Sequence, residues 1–280
     1  MGHRHPGDPL RLTVLGSGSR GNALLVEAGG DALLVDAGFS FRDLGRRLAA
    51  AGRDPGAIRA IVLTHEHGDH TRGVARAAAG WKVPVFASAG TLAALGAALG
   101  SAPGTVPLPA SRRVACGAFG LTAYPTAHDA ADPVVLVVED GEGRRLGVAC
   151  DVGSPTAALG LACRDLDGLV LETNHDEVLL RGSGYPAAVR ARIAGHGGHL
   201  SNSQAAALAA EVAHAGLSVV VLAHLSDRCN TPDLALQAVS RALAGTAFRG
   251  TILVASQDEP LPTVDVGRGP GQLSLPLGRR

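Results

Sequence analysis

Residues 64–70 read Thr-His-Glu-His-Gly-Asp-His, THEHGDH, directly after the apolar run IRAIVL (58–63). Three imidazoles and two carboxylates in seven positions crowd one loop with charge that something must offset. Histidine nitrogen and carboxylate oxygen are the usual ligands of zinc and manganese, and a loop leaving a strand presents several of them together. On this reading His65 and His67 share one cation, while Asp69 and His70, entering the next helix, face a second. Two cations need more ligands than one loop holds. Three residues, each just past an apolar strand, fill the need: His128 in YPTAHDA, Asp151 in LGVACDVG and His224 in VVVLAHLS. Strand ends on one side of a layered α/β sheet converge, so these residues can meet the first loop there. Taken singly, a strand-end histidine reads equally as a cap or a core polar group; the coincidence of four signals favours ligands.

The rest of the chain bounds the answer. Its 280 residues, 46% hydrophobic and 18% charged, suffice for one large folded core. Lys plus Arg equals Asp plus Glu at 25 each, so no global field draws the chain to nucleic acid or an anionic membrane. Cys116, Cys150, Cys163 and Cys229 form no CxxC pair, which fits reduced core thiols better than a disulfide frame or a cysteine zinc site. No apolar run approaches the roughly 20 residues that span a bilayer. The N-terminus, MGHRHPGDP, has no hydrophobic segment of the kind a secretion signal needs. The expected location is the cytoplasm, and residues 1–9 read as a disordered lead-in.

Periodicity predicts an antiparallel meander over 10–16, 23–29 and 31–38, then a helix over 41–51. Strand 58–63, helix 70–79, strand 83–87 and helix 90–99 follow, then strands 119–124, 134–139 and 145–150. The second half continues with strand 167–171, helices 186–194 and 203–214, strand 218–223, helix 232–244 and strand 251–255. Two sheets flanked by helices result, in one domain over 10–256. Residues 257–280 lose all periodicity and read as a flexible tail.

HEHGDH, a later lone histidine, a strand-terminal aspartate and a late histidine together resemble the metallo-β-lactamase superfamily over nearly the whole ordered chain. The resemblance implies a four-layer αββα sandwich. It puts His65, His67 and His128 on one metal, Asp69, His70 and His224 on the other, and Asp151 between both. Asp36 in LLVDAG would support the metal loop from behind. The implied cofactors are two divalent ions, Zn2+ or Mn2+, with iron less favoured; too few residues separate Asp151 from His224 for a cap domain.

Coordination lowers the pKa of water from 15.7 to about 7, and two cations clamp both oxygens of an in-line displacement, so hydrolysis is expected, with Asp69 in the catalytic group. LVLETNHD (169–176) and GHLSN (198–202) resemble the phosphodiesterase and nuclease branch, which includes tRNA-processing ribonuclease Z. There a glutamate holds a histidine that protonates the leaving oxygen; His199 is the implied acid and Glu172 its orienter. LGSGSRGN, THEHGDH, TAHDAADP, LETNHD, GHLSNSQAA and AHLSDRCN together resemble the WalJ/YycJ group of bacterial exonucleases, which implies 5'-to-3' removal of nucleotides from DNA in repair or replication. The last block departs from that group, with Cys229 where asparagine is expected.

Substrate contacts are expected from Arg20 and Asn22, whose glycine-rich loop offers backbone amides to phosphate, and from His175, Ser201 and Asn202. Arg181, Arg190 and Arg192 would add a local basic patch. In the tail, QLSLPL (272–277) resembles the short peptides that bind the bacterial replication sliding clamp, through Gln272, Leu273, Leu275 and Leu277. Tethering of that kind raises local substrate concentration and relieves a neutral protein of the need for a basic surface. Rival readings are a ribonuclease or small cyclic-phosphodiester hydrolase, an iron-dependent redox enzyme of the same fold, and a non-catalytic clamp-binding module.

Overall fold

The computed structural model describes residues 8–267. The strands are β1 (Leu10–Gly16), β2 (Ala23–Ala28), β3 (Asp31–Val35), β4 (Ile58–Val62), β5 (Val85–Ala87), β6 (Thr105–Pro107) and β7 (Arg113–Cys116). They continue with β8 (Phe119–Pro125), β9 (Val134–Glu139), β10 (Arg145–Ala149), β11 (Gly168–Glu172), β12 (Val219–Ala223), β13 (Thr251–Val254) and β14 (Val264–Val266). Two seven-stranded sheets form, in the orders β14-β1-β2-β3-β4-β5-β6 and β13-β12-β11-β10-β9-β8-β7. The meander predicted for β1 to β3 is antiparallel as expected. From β3 to β6 the first sheet is parallel, and from β10 to β13 so is the second.

Strand side chains alternate between faces, and here both faces are buried, which is why the strands read as continuous apolar runs. In β9, Val134, Leu136 and Val138 join Leu12, Val14, Leu33 and Val35 in the core between the sheets. Val135 and Val137 turn outward onto Leu159, Leu208 and Val239 of the helices Ala157–Ala162, Asn202–Val212 and Pro232–Leu243. Leu15, Leu34 and Ile61 face Leu44, Leu48, Ala77 and Ala78 of the helices Phe41–Ala50 and Val74–Trp81 on the other side. Three apolar layers thus separate four structural ones, giving the αββα sandwich, with no cap domain among the described residues. Among the described residues no helix is long and apolar enough to cross a membrane.

Three expectations change. The helix predicted over 70–79 is two pieces, Gly68–Thr71 and Val74–Trp81, because the Gly73 amide turns aside to donate to Ala37 O at 2.8 Å. β6, β7 and the helices Ala157–Ala162 and Glu177–Gly182 were not foreseen. The domain does not stop at 256. Gln257 is buried, and β14 pairs with β1 through Leu12↔Val264 and Leu10↔Val266, with Val266 fully enclosed in the core between the sheets. The predicted flexible tail therefore starts too early, since ladder hydrogen bonds to β1 order a segment whose own propensity is poor. Residues 1–7 and 268–280, including Gln272, Leu273, Leu275 and Leu277, lie outside the described residues.

Candidate metal centre

His65, His128, Asp151, His224 and the supporting Asp36 lie just past strand ends on one side of the sandwich, with His67, Asp69 and His70 in the loop and short helix that follow His65. Asp36 follows β3, His65 follows β4, His128 follows β8, Asp151 follows β10, and His224 follows β12. Asp36, Asp151 and His224 take left-handed backbone angles, with φ of 58°, 54° and 53°. For a non-glycine residue that conformation costs on the order of 1–3 kcal/mol and is retained where function requires it. It turns each side chain sharply back over the sheet edge.

Hydrogen bonds fix which nitrogen each imidazole presents. His70 Nδ1 donates to Asp36 Oδ2 at 2.7 Å. The Thr64 hydroxyl gives its proton to the same carboxylate at 2.9 Å, so its oxygen accepts from His65 Nδ1 at 3.1 Å. His128 Nδ1 donates to Gly198 O at 2.9 Å, and His67 Nε2 to Asp129 O at 3.3 Å. His224 Nδ1 faces Glu172 Oε1 at 3.1 Å. In His65, His67 and His128 one N–H is spent on a protein oxygen away from the cluster, which leaves the other nitrogen facing it, whereas His70 Nε2 also lies 3.0 Å from Asn22 Nδ2, and His224 Nδ1 lies between Glu172 Oε1 and Asp151 Oδ1.

Those inward atoms form two groups, His65, His67, His128 and Asp69, His70, Asp151, His224, with ligand atoms within 4.8 Å of one another inside each group. Asp151 is central: Oδ2 lies 2.5 Å from His70 Nε2 and 3.5 Å from His65 Nε2, and Oδ1 lies 3.0 Å from His224 Nδ1. Both Asp151 oxygens and His65 Nε2 are buried, and none makes a geometrically sound hydrogen bond. Buried polar atoms are almost always satisfied, so a donor set of this kind fits divalent cations. Burial first, then His70, holds His65 down to about 2, so it stays neutral. Burial disfavours charge on Asp151, yet His224 and His70 keep its carboxyl well below the usual range.

Glu172, fully buried, sits behind this centre. Its Oε2 accepts from the Val152 and Leu200 amides at 2.8 and 3.1 Å, and Oε1 faces His199 Nδ1 at 2.7 Å. Burial opposes charge on His199, but Glu172 and Asp151 push it up to about 11. Asp151, Glu172, His199 and His224 make a third compact ligand-capable group, sharing two members with the second.

The expected substrate contacts fare differently. Asn22 is buried, accepting from Ser17 Oγ and the Gly18 amide at 2.9 Å each and lying 3.0 Å from His70 Nε2. Ser201 is buried as the cap of the helix Asn202–Val212, and Asn202 pairs with Asn230 through two 2.8 Å bonds. His175 is buried, with its carbonyl bound to the Asn202 amide. These four brace the loops instead of facing solvent. The amides of Ser17, Gly18, Arg20, Gly21 and Asn22 are all engaged internally, so the glycine loop is no phosphate nest. Arg20 is exposed but pairs with Asp258 and Asp227 at 3.1 and 3.4 Å. Thr64, Asn174 and Asn230 were missed; Thr64 adjoins the first histidine, the one sequence signal among them. Cys229, where asparagine was expected, is buried, and the neighbouring Asn230 donates to Thr173 O at 2.7 Å.

Residues 32–225 match the beta-lactamase superfamily domain family. Exodeoxyribonuclease YycJ of Bacillus anthracis is 31% identical over 241 residues, covering 85% of this chain and 91% of that one. Exodeoxyribonuclease WalJ of Streptococcus pneumoniae is 28% identical, over 84% of this chain and 88% of its own. The metallo-beta-lactamase fold protein YhfI from Bacillus subtilis superposes with a TM-score of 0.69 at 18% identity, covering 91% and 99% of the two chains. The chain therefore belongs to the beta-lactamase superfamily domain family and is a metal-dependent hydrolase of the metallo-β-lactamase fold.

Proposed function

We propose that the chain hydrolyses phosphodiester bonds of DNA, as a 5'-to-3' exonuclease, using Asp69, His199 and Glu172 around a two-metal centre. The observation that carries this reading is the Glu172–His199 contact of 2.7 Å beside the two ligand groups. Similarity to the YycJ and WalJ exodeoxyribonucleases over most of the chain supports DNA as the substrate.

His65, His67 and His128 would hold one divalent ion and Asp69, His70 and His224 the other, with Asp151 shared. Zinc or manganese suits these nitrogens and oxygens. Bound there, the cations supply Lewis acidity and a water that ionises near neutral pH. The chain's own residues do the rest. Glu172 fixes the His199 ring through Nδ1, which leaves Nε2–H for the departing ester oxygen. A phosphodiester oxygen is a poor leaving group, and a positioned general acid is worth about 10²- to 10⁴-fold. Glu172 keeps its own charge because two backbone amides and two imidazoles surround it. Burial strengthens each of these contacts relative to water.

Zinc- or manganese-loaded protein on 5'-labelled duplex DNA, matched RNA and a cyclic nucleotide tests the proposal. Release of the label as a mononucleotide from the DNA supports it; a ladder of shortened 5'-labelled strands, or cleavage of RNA or the cyclic nucleotide alone, overturns it. We further place the activity in the cytoplasm and on the replication clamp, through Gln272, Leu273, Leu275 and Leu277. Clamp affinity unchanged by deleting 272–277 would overturn that second part.

A further inference from the structure

Between β11 and His199 the chain makes a helical hairpin, Glu177–Gly182 and Ala187–Ala194, whose second helix buries none of its residues. A helix this short is marginal in water, and this one docks no apolar face; Val178, Leu179 and Val189 stay exposed. At its bend sits half-buried Tyr185. Arg190 Nη1 donates to the Tyr185 carbonyl at 2.5 Å, and the Arg228 guanidinium lies over the Tyr185 ring, 5.4 Å from its centre.

Arg228 belongs to the loop that follows His224. That loop is tied to the one after Glu172 by Ser226 N to Asn174 O at 2.9 Å and Asp176 N to Cys229 O at 2.8 Å. The cluster therefore sits on the rim of the metal centre. Arg192 of this hairpin pairs with Asp129 at 2.7 Å, and Arg20, Arg53, Arg59, Arg113 and Arg144 elsewhere also pair with carboxylates. Among the described residues Arg190 and Arg228 do not, nor do others such as Arg76 and Arg241. The nearby acids are occupied: Asp176 caps the Val178 and Leu179 amides, and Glu177 takes the Ser203 hydroxyl.

We infer that Tyr185, Arg190 and Arg228 form a nucleotide subsite that grips a single DNA strand beside the metal centre. The inference rests on the DNA reading above and deepens it. A guanidinium laid against an aromatic ring is held in orientation while its N–H edge stays free for phosphate. The ring itself offers a sequence-tolerant surface for a base. Arginines without carboxylate partners give a chain of zero net charge the local positive field that a polyanion needs.

The test is fluorescence anisotropy of a labelled oligothymidylate titrated with full-length, metal-loaded protein over a range of salt. Arg190→Ala and Arg228→Ala should each weaken binding on the order of tenfold and lower the salt slope by about 0.7, as expected for one lost single-strand phosphate contact. Tyr185→Ala should weaken binding by a similar factor at unchanged slope, and Tyr185→Phe should restore it. Arg113→Ala, at the edge strand β7, is the charge-matched control and should bind as wild type. Circular dichroism melting reports folding, and Arg228→Lys keeps the charge if the alanine variant unfolds; it should retain the slope. Wild-type affinity and slope in folded variants overturn the subsite alone. A change of oligomeric state at unchanged affinity assigns the patch to self-association and also overturns it. Wild-type protein that turns over bis(p-nitrophenyl) phosphate but neither binds nor cuts DNA overturns the DNA reading and this inference together.

Discussion

Two turns of the same design hold the centre, one in each sheet: Val35-Asp36-Ala37-Gly38 after β3 and Cys150-Asp151-Val152-Gly153 after β10. Both strands stand fourth in their sheets, where antiparallel pairing gives way to parallel. Both aspartates are left-handed. Both glycines admit a crossing backbone: a Cβ on Gly38 would lie 1.7 Å from Asp69 O, and one on Gly153 would lie 2.0 Å from His196 O. The carboxylates nonetheless do opposite things. Asp36 is saturated by Thr64 and His70, whereas Asp151 leaves both oxygens without a hydrogen bond against imidazole nitrogens. One local geometry thus serves as a brace when its acceptors are filled and leaves a carboxylate open to a cation when they are not.

The largest effect that would break this contrast is Asp151→Ala. On the proposed assignment both ion positions would lose their shared ligand, and kcat/KM on labelled DNA should fall further than in any variant below, with metal content followed in parallel. His199→Ala should lower kcat by about 10²- to 10⁴-fold while two ions remain bound. Loss of an ion instead would make His199 a ligand of the third group. Asp36→Asn keeps a residue that tolerates left-handed angles but weakens the hold on His70. Metal affinity, read by competition with a chelating dye, should fall by about 10- to 100-fold, and an effect equal to that of Asp151→Ala would erase the distinction between brace and ligand. Smallest at the site is Val266→Ala in β14, which should lower unfolding free energy by about 2 kcal/mol and leave metal affinity unchanged.

The two halves also differed in legibility. His65, His67, Asp69 and His70 stand together in sequence because one loop carries them, so their chemistry could be read directly. Asp151, Glu172, His199 and His224 are scattered; only the convergence of strand ends, a property of the fold, joins them. The bracing of Asn22, Ser201 and Asn202 was misread as substrate contact because polar residues beside a site look alike in sequence whether they face solvent or the loop behind. β14 escaped notice for a related reason. Val264-Asp265-Val266 is too short and too closely flanked by glycine and proline to signal a strand, and its order comes from β1, some 250 residues away.

The two-metal centre is tested most directly by native mass spectrometry of wild-type and Asp151→Ala protein, each reconstituted with zinc and desalted. Two ions on the wild-type chain and fewer on the variant is the predicted result. A wild-type chain carrying none or one, or a variant that still holds two as tightly, would contradict it.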